Sequence, residues 1–218
     1  NDINKINNKY LTVMSIPQNI CFYPMRIRVN IFENKWINLI KECINNNNKL
    51  FIYVSPELND GSIIPYNGST GCICKIISCQ GLSEKIYIIN AENLGQIRLN
   101  NVFERKFPSK HHVSEYTYFQ DKINNDILDK KIQYYIMELN NYITETFEGY
   151  SKDDNIEMEM QMDDKLPERI IPNDSNIMEF SFYVAAFLFI LQNKHNIQTT
   201  NWLYTAINTT NTSERIRL

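Results

Sequence analysis

Thr70-Gly-Cys-Ile-Cys-Lys-Ile-Ile-Ser78 and Ser83-Glu-Lys-Ile-Tyr-Ile-Ile-Asn90 decide the fold. Both are short, rich in β-branched residues, and separated by a turn signal at Gln80-Gly81, which reads as two antiparallel strands. Working upstream, Lys49 to Val54 (KLFIYV) is nearly continuous in apolar residues, as a strand buried on both faces requires. Leu11 to Ile16 alternates apolar with polar and stops at Pro17. Met25 to Val29 alternates too, with Met25, Ile27 and Val29 on one face and Arg26 and Arg28 on the other. Downstream, Gly95 to Leu99, a weaker Phe103 to Phe107 and Val113 to Phe119 continue the series. Six to eight short strands with turns between them predict a closed barrel or a sandwich.

One early segment breaks the period. In Phe32 to Ile44, the residues Trp36, Leu39, Ile40, Cys43 and Ile44 recur at three and four, which predicts an amphipathic helix stopped by Asn45 to Asn48. Ser55 to Ser69 holds Pro56, Gly61, Pro65 and Gly68 and reads as a loop. After Asp121 the character changes. Ile123 to Phe147 carries apolar residues at helical spacing, and Phe180 to Leu191 is a dozen-residue apolar stretch of the length of a buried helix. Asp174 or Ser175 is placed to cap that helix. Ile197 to Ile207 reads as a further helix around Trp202, Leu203 and Ala206, and Ser213 begins another turn. Glu148 to Lys165 is acidic, lacks a core pattern and reads as a mobile loop. Strands first and helices after give an α+β protein. About six strands and one short helix fall in 11–120, and helices fill 121–218.

The bulk numbers exclude several classes. A chain of 218 residues that is 43% hydrophobic has enough apolar side chain for a core, and 6 Gly and 7 Pro are too few for a fibrous or disordered chain. A formal net charge of −3 argues against gripping nucleic acid through phosphate neutralisation. No run of about 18 uncharged apolar residues is present, so no membrane span is expected. Five cysteines at irregular spacing (21, 43, 72, 74 and 79) do not form a secreted disulfide framework, and a reducing compartment is expected. The chain opens on Asn1 rather than Met, as expected of a trimmed chain.

Chemistry-bearing residues are sparse. Cys72, Cys74 and Cys79 make one loose cluster where zinc wants about four ligands from paired knuckles, so buried small cysteines are the expected reading. His111-His112 beside Lys110 is expected in a solvated loop, and His195 in a helix connection. No third group is suggested that would orient a Cys–His pair. Arg26 and Arg28, with Arg98 and Lys75, sit where they can build a basic face, weighed against an ordinary solvated sheet surface. Glu33 stands at a helix start, where the dipole favours an anion. Phe22, Tyr23 and Met25 form an apolar turn, which either plugs the core or offers a patch for polypeptide binding.

Taken in order, these segments resemble a family. Ile16-Pro-Gln-Asn-Ile-Cys-Phe-Tyr-Pro24, then Val29-Asn-Ile-Phe-Glu33 and a helix with Trp36 and Ile40, resembles the opening of Lon protease substrate-binding domains. Met25 stands where a glycine is usual. Gly71-Cys-Ile-Cys-Lys-Ile76 is similar to that family's Gly-x-x-x-x-Ile strand, Lys85 to Leu99 to its next hairpin, and Glu115-Tyr-Thr-Tyr118 to its last strand. Val184-Ala-Ala186, Trp202-Leu203 and Glu214-Arg-Ile216 resemble its closing helices. The resemblance implies a PUA-like β barrel followed by an α-helical bundle. It implies a non-catalytic domain that recognises client polypeptides for an ATP-dependent protease and joins the rest of a Lon hexamer. The resemblance leaves open a free-standing adaptor, as in cereblon-type relatives, or a PUA-like RNA-binding module on Arg26, Arg28 and Arg98. No Gly-x-x-x-x-Gly-Lys-[Ser/Thr] phosphate loop is present in the chain. No cofactor or metal is expected, and the location implied is the mitochondrial matrix or the cytoplasm.

Overall fold

The structure is a computed structural model that describes residues 10–17, 19–46, 48–83, 86–106, 110–119, 130–152, 166, 172, 176–194, 201–209 and 211–218. The expected start of the long helix at Ile123, the expected cap at Asp174 or Ser175, and the expected helix start at Ile197 lie outside these residues. The chain divides into two compact units, Asn1–Phe119 and Gln120–Leu218.

Among the described residues the first unit holds six strands and an α-helix: β1 (Leu11–Ser15), β2 (Ile27–Ile31), α1 (Asn34–Asn46), β3 (Leu50–Val54), β4 (Thr70–Ser83), β5 (Ile86–Arg105) and β6 (His111–Tyr118). Sheet order is β2-β5-β4-β3-β1-β6, and β6 also pairs with β5. The ladder β5-β4-β3-β1-β6 therefore returns to β5, and β2 lies on β5 outside that ring. All pairs are antiparallel except β1 with β3. The helix α1 makes the crossover that a parallel pair needs, because it packs on β1 and β3.

One apolar cluster comprises Leu11, Val13, Leu50, Ile52, Val54, Ile73, Ile97 and Leu99, all buried. Leu94, Val102, Tyr116 and Tyr118 pack against it. Residues of β3 are buried on both faces, as its unbroken apolar sequence requires. Leu50, Ile52 and Val54 belong to that cluster, and Phe51 and Tyr53 alternate to the other face and are fully buried. On α1 the buried residues are Ile37, Leu39, Ile40 and Cys43. The carbonyl of Glu33 accepts from the N–H groups of Trp36 and Ile37 and opens that helix; its terminus gives way to left-handed Asn48 and Lys49 at φ 52° and 66°.

Three expectations need correction. Gln80-Gly81 is not a turn, because β4 runs through it to Ser83. The three runs expected between Ser83 and Phe107 are one 20-residue strand, β5. His111 and His112 are not in a solvated loop but open β6, and His111 is buried.

In the second unit, the described helices are α2 (Lys130–Lys152), α3 (Ile177–Lys194), α4 (Asn201–Asn208) and α5 (Thr212–Arg217). Residues 148–152, expected in the acidic loop, continue α2, and 153–165 lie outside the described residues. Buried side chains surround α3, including Phe180, Phe182, Tyr183, Ala186 and Phe187, as a helix apolar on every side must be. No helix among the described residues is long and apolar enough to cross a membrane. Arg215 of α5 is buried over the Phe182 ring at 3.7 Å and donates to Ala206 O (2.9 Å), Ser181 Oγ (2.8 Å) and Thr209 O (2.6 Å). Those bonds satisfy the guanidinium away from water and fix the last helix to α3 and α4.

Candidate functional surface

The apolar turn at Phe22 is tied down from three sides. Tyr53 Oη donates to Asn19 O at 2.9 Å, Ser55 Oγ accepts from the Cys21 N–H at 2.8 Å, and Gln96 Oε1 accepts from the Tyr23 N–H at 2.9 Å. The Tyr23–Pro24 peptide is cis. Phe22 (0% exposed) and Met25 (3%) consequently point into the core, and of the three residues only Tyr23 has its side chain partly at the surface. Two thirds of the expected binding patch is interior packing in this conformation.

Arg98 is not brought together with Arg26 and Arg28. Arg28 lies opposite Asn90 on β5, whereas Arg98 lies between Thr70 and Thr117. Positions 90 and 98 are separated by roughly 26 Å of strand at about 3.3 Å per residue. Arg98 donates to Gly68 O at 3.2 Å and lies over the Phe119 ring at 5.0 Å, while Lys75 is 4.0 Å from Glu92. Arg26 and Arg28 are exposed on and beside β2. Arg98 is thus on a separate stretch of sheet from Arg26, Arg28 and Lys75, and it is engaged with a carbonyl and a ring while Lys75 faces a carboxylate.

Three of the cysteines lie together in the interior. Cys72 and Cys74 share a strand face with their Sγ atoms 3.6 Å apart, and Cys21, Cys72 and Cys74 are all buried. Burial, reinforced by the neighbouring thiols, pushes Cys21 and Cys74 well above the ordinary thiol value, so these two stay protonated, whereas Cys72, itself buried, is pulled down by its hydrogen bonds with Cys21, Cys74 and Asn93. Among the described residues no group of three His, Cys, Asp or Glu is set to hold a metal ion.

What the sequence reading missed is the surface of the loop between β3 and β4. Ile63 (59% exposed), Ile64 (66%) and Tyr66 (42%) stand out of it. A 3-10 turn at Pro56–Leu58 and buried Asn59 fix the loop. Asn59 Nδ2 donates to Ser55 O and Thr70 O, both at 2.9 Å, and Asn59 Oδ1 accepts from the Thr70 N–H at 2.7 Å. Next to Tyr66, Asn67 Oδ1 accepts from the Val102 N–H at 2.7 Å. Adjoining Phe103 (43% exposed) packs edge-on against Tyr10 (37%), with ring centroids 5.4 Å apart. Ile63, Ile64 and Tyr66 therefore stand in water on a hydrogen-bonded loop, with the exposed Phe103–Tyr10 pair following Val102, the partner of Asn67. The signal available in the sequence was Ile63-Ile64-Pro65-Tyr66 inside a Gly- and Pro-rich loop.

Residues 10–197 match the family described as the ATP-dependent protease La (LON) substrate-binding domain. The chain belongs to this family. The N-terminal domain of Mycobacterium avium complex Lon protease superposes with a TM-score of 0.58 at 12% identity, over 96% of this chain and 95% of that one. The Lon N-terminal domain protein from Xanthomonas campestris gives the same TM-score and identity, over 95% of each chain. At such identity the two structures show a shared Lon N-terminal domain fold. No curated protein matches the sequence. As a Lon substrate-binding domain, the chain has its family role in substrate recognition.

Proposed function

We propose that this domain is a non-catalytic recognition module that holds exposed apolar segments of client polypeptides for an ATP-dependent Lon-type protease, working with the rest of a Lon assembly. In this reading the closed strand ladder is a PUA-like barrel and the second unit a helical bundle. The observation that carries the proposal is the ordered apolar loop at Ile63, Ile64 and Tyr66 on a chain whose family is named for substrate binding. Unfolded clients display apolar side chains, and a surface that holds them must return apolar area; pre-ordering the loop lowers the entropy lost on contact. Tyr23 is the member of the Phe22–Met25 turn placed to join such a contact. An RNA-binding reading draws less support, since Arg98 is set apart from Arg26 and Arg28.

The test is binding of reduced, carboxymethylated α-lactalbumin to the 218-residue chain and to an Ile63→Asp/Ile64→Asp variant. The chain is expected to bind the unfolded protein and not its native form, and the variant to bind at least about tenfold more weakly. Equal binding by the variant would remove the loop from the proposal. No binding at all would remove client recognition by this domain.

A further inference from the structure

Strand β4 outruns its neighbour β3, while β5 stays covered by β2 along the same stretch. On its far side β4 is paired with β3 only through Leu50↔Lys75 to Tyr53↔Cys72, and the last bond is from the Ile76 N–H to Lys49 O at 2.9 Å. Beyond Ile76 the ladder to β5 continues as Ser78↔Asn90, Cys79↔Ile89, Gln80↔Ile88 and Gly81↔Tyr87. Among the described residues, nothing pairs with the opposite edge of Ile77–Gly81. In an antiparallel strand every second residue turns its N–H and C=O away from the partner. This stretch therefore presents main-chain donors and acceptors to its surroundings, and Ile77 beside them is 57% exposed.

We infer that the edge Ile77–Gly81 takes up an extended segment of a client polypeptide as an added antiparallel strand, an inference that rests on the client-binding role proposed above. The chemistry of the edge names the occupant. Alternating N–H and C=O groups at strand spacing are matched by another extended main chain, whatever its side chains, with exposed Ile77 supplying an apolar contact. Main-chain pairing is blind to sequence, which suits a domain that meets many different unfolded chains. The ends of the edge are shaped for a short guest. Register shifts at Ile76/Ser78 and at Gly81/Ser83 frame four residues in regular register. Such bulges keep an edge from templating continuous sheet growth and leave room for one brief pairing.

The test uses the 218-residue chain, a short Val- and Thr-rich peptide, and the same peptide N-methylated at every second amide on one edge. Binding is titrated with each peptide, and amide hydrogen exchange across 76–83 is followed with and without peptide, at low and high protein concentration. The expected result is slowed exchange of the outward amides in 77–81 on adding the plain peptide, and an affinity loss of about tenfold or more on methylation, as removing main-chain hydrogen bonds demands. Plain and methylated peptides binding equally, with exchange at 77–81 unmoved, would overturn the edge while leaving client binding by the apolar loop intact. Protection of 77–81 that grows with protein concentration alone would assign the edge to a second copy and overturn the inference, as would protection already complete in the free chain. Failure of both the peptides and the unfolded protein to bind would remove the client-binding reading and this inference with it.

Discussion

His112 is half-buried on β6, opposite Val13 of β1 and Glu104 of β5. Burial pushes its imidazole below the ordinary value of 6.5; Lys35, His111 and Lys110 push the same way and Glu104 pulls against them. The folded chain therefore holds this proton less tightly than the unfolded chain does. Where the unfolded state binds more protons, stability rises with pH. The contribution of His112 is fully present above the ordinary imidazole pKa and is lost as pH falls through that value toward the depressed one. The urea midpoint is expected to drop between about pH 7.5 and about pH 5.5, a window clear of most carboxylate titrations. His112→Gln should flatten that slope, and identical slopes in the two proteins would show that His112 does not carry it. Little of this was legible in the sequence. A His-His pair after Lys110 looks the same in a loop and in a strand, and only the pairing to β1 and β5 tells which. The same limit applies at Phe22 and Met25. An apolar turn has no period that tells inside from outside, and what turns it inward is a set of bonds from Tyr53, Ser55 and Gln96, each 34 or more positions from the residue it holds.

At the scale of elements, the central strands were readable because their periodicity is strong. β3 announced its double burial by having no polar residue, and α1 showed its face by threes and fours. The boundaries failed where glycine was read as punctuation. Gly81 is paired with Tyr87 inside the hairpin. Gly95 lies under the Tyr118 ring, where an added Cβ would meet ring carbons at 3.0 and 3.2 Å. Gly71 is the severest case. A Cβ there would lie 2.8 Å from Tyr53 O, 3.1 Å from Val54 Cγ2 and 3.3 Å from Leu99 Cδ1. The nearest atom is backbone of the neighbouring strand and cannot rotate aside, so Gly71, like Gly95, serves close approach rather than turning. Gly71→Ala is accordingly expected to destabilise the first unit by roughly 1–3 kcal/mol, the usual cost of overpacking. The measurement is the urea midpoint followed by β-type circular dichroism, with Gly61→Ala as a comparison. Gly61 has no atom within 4 Å of the added Cβ, and its φ of +75° alone opposes the change. A Gly71→Ala protein as stable as the parent would show that β3 and β4 can separate without cost.

For the whole molecule, the order of strands and helices was visible in the sequence and closure was one of the two outcomes it suggested, but the pairings that close the ladder were not legible. Pairing β1 with β3 in parallel and β5 with β6 around the back joins residues such as Arg98 and Thr117 that no local pattern connects. That closure has a consequence for stability. Each of the six strands finds its partners between Leu11 and Tyr118. The apolar cluster from Leu11 to Leu99 also lies wholly within those limits, as do the bonds that fix the β3–β4 loop. Among the described residues, a fragment of residues 10–119 therefore contains every strand partner and the whole of that apolar cluster, and a chain of about that length buries enough surface to fold by itself. It is expected to unfold in urea as one cooperative transition, with a denaturant slope in the range of about 1–3 kcal/mol per molar for a small domain. It should also keep the amide protection of β3 and β4 seen in the full chain. A broad, non-cooperative transition, or loss of protection at Leu50–Val54, would mean that the closed ladder depends on residues after Phe119. Should the fragment fold, it separates the two units experimentally, and binding of unfolded protein to it, with or without the Ile63→Asp/Ile64→Asp change, assigns client recognition to the strand unit directly.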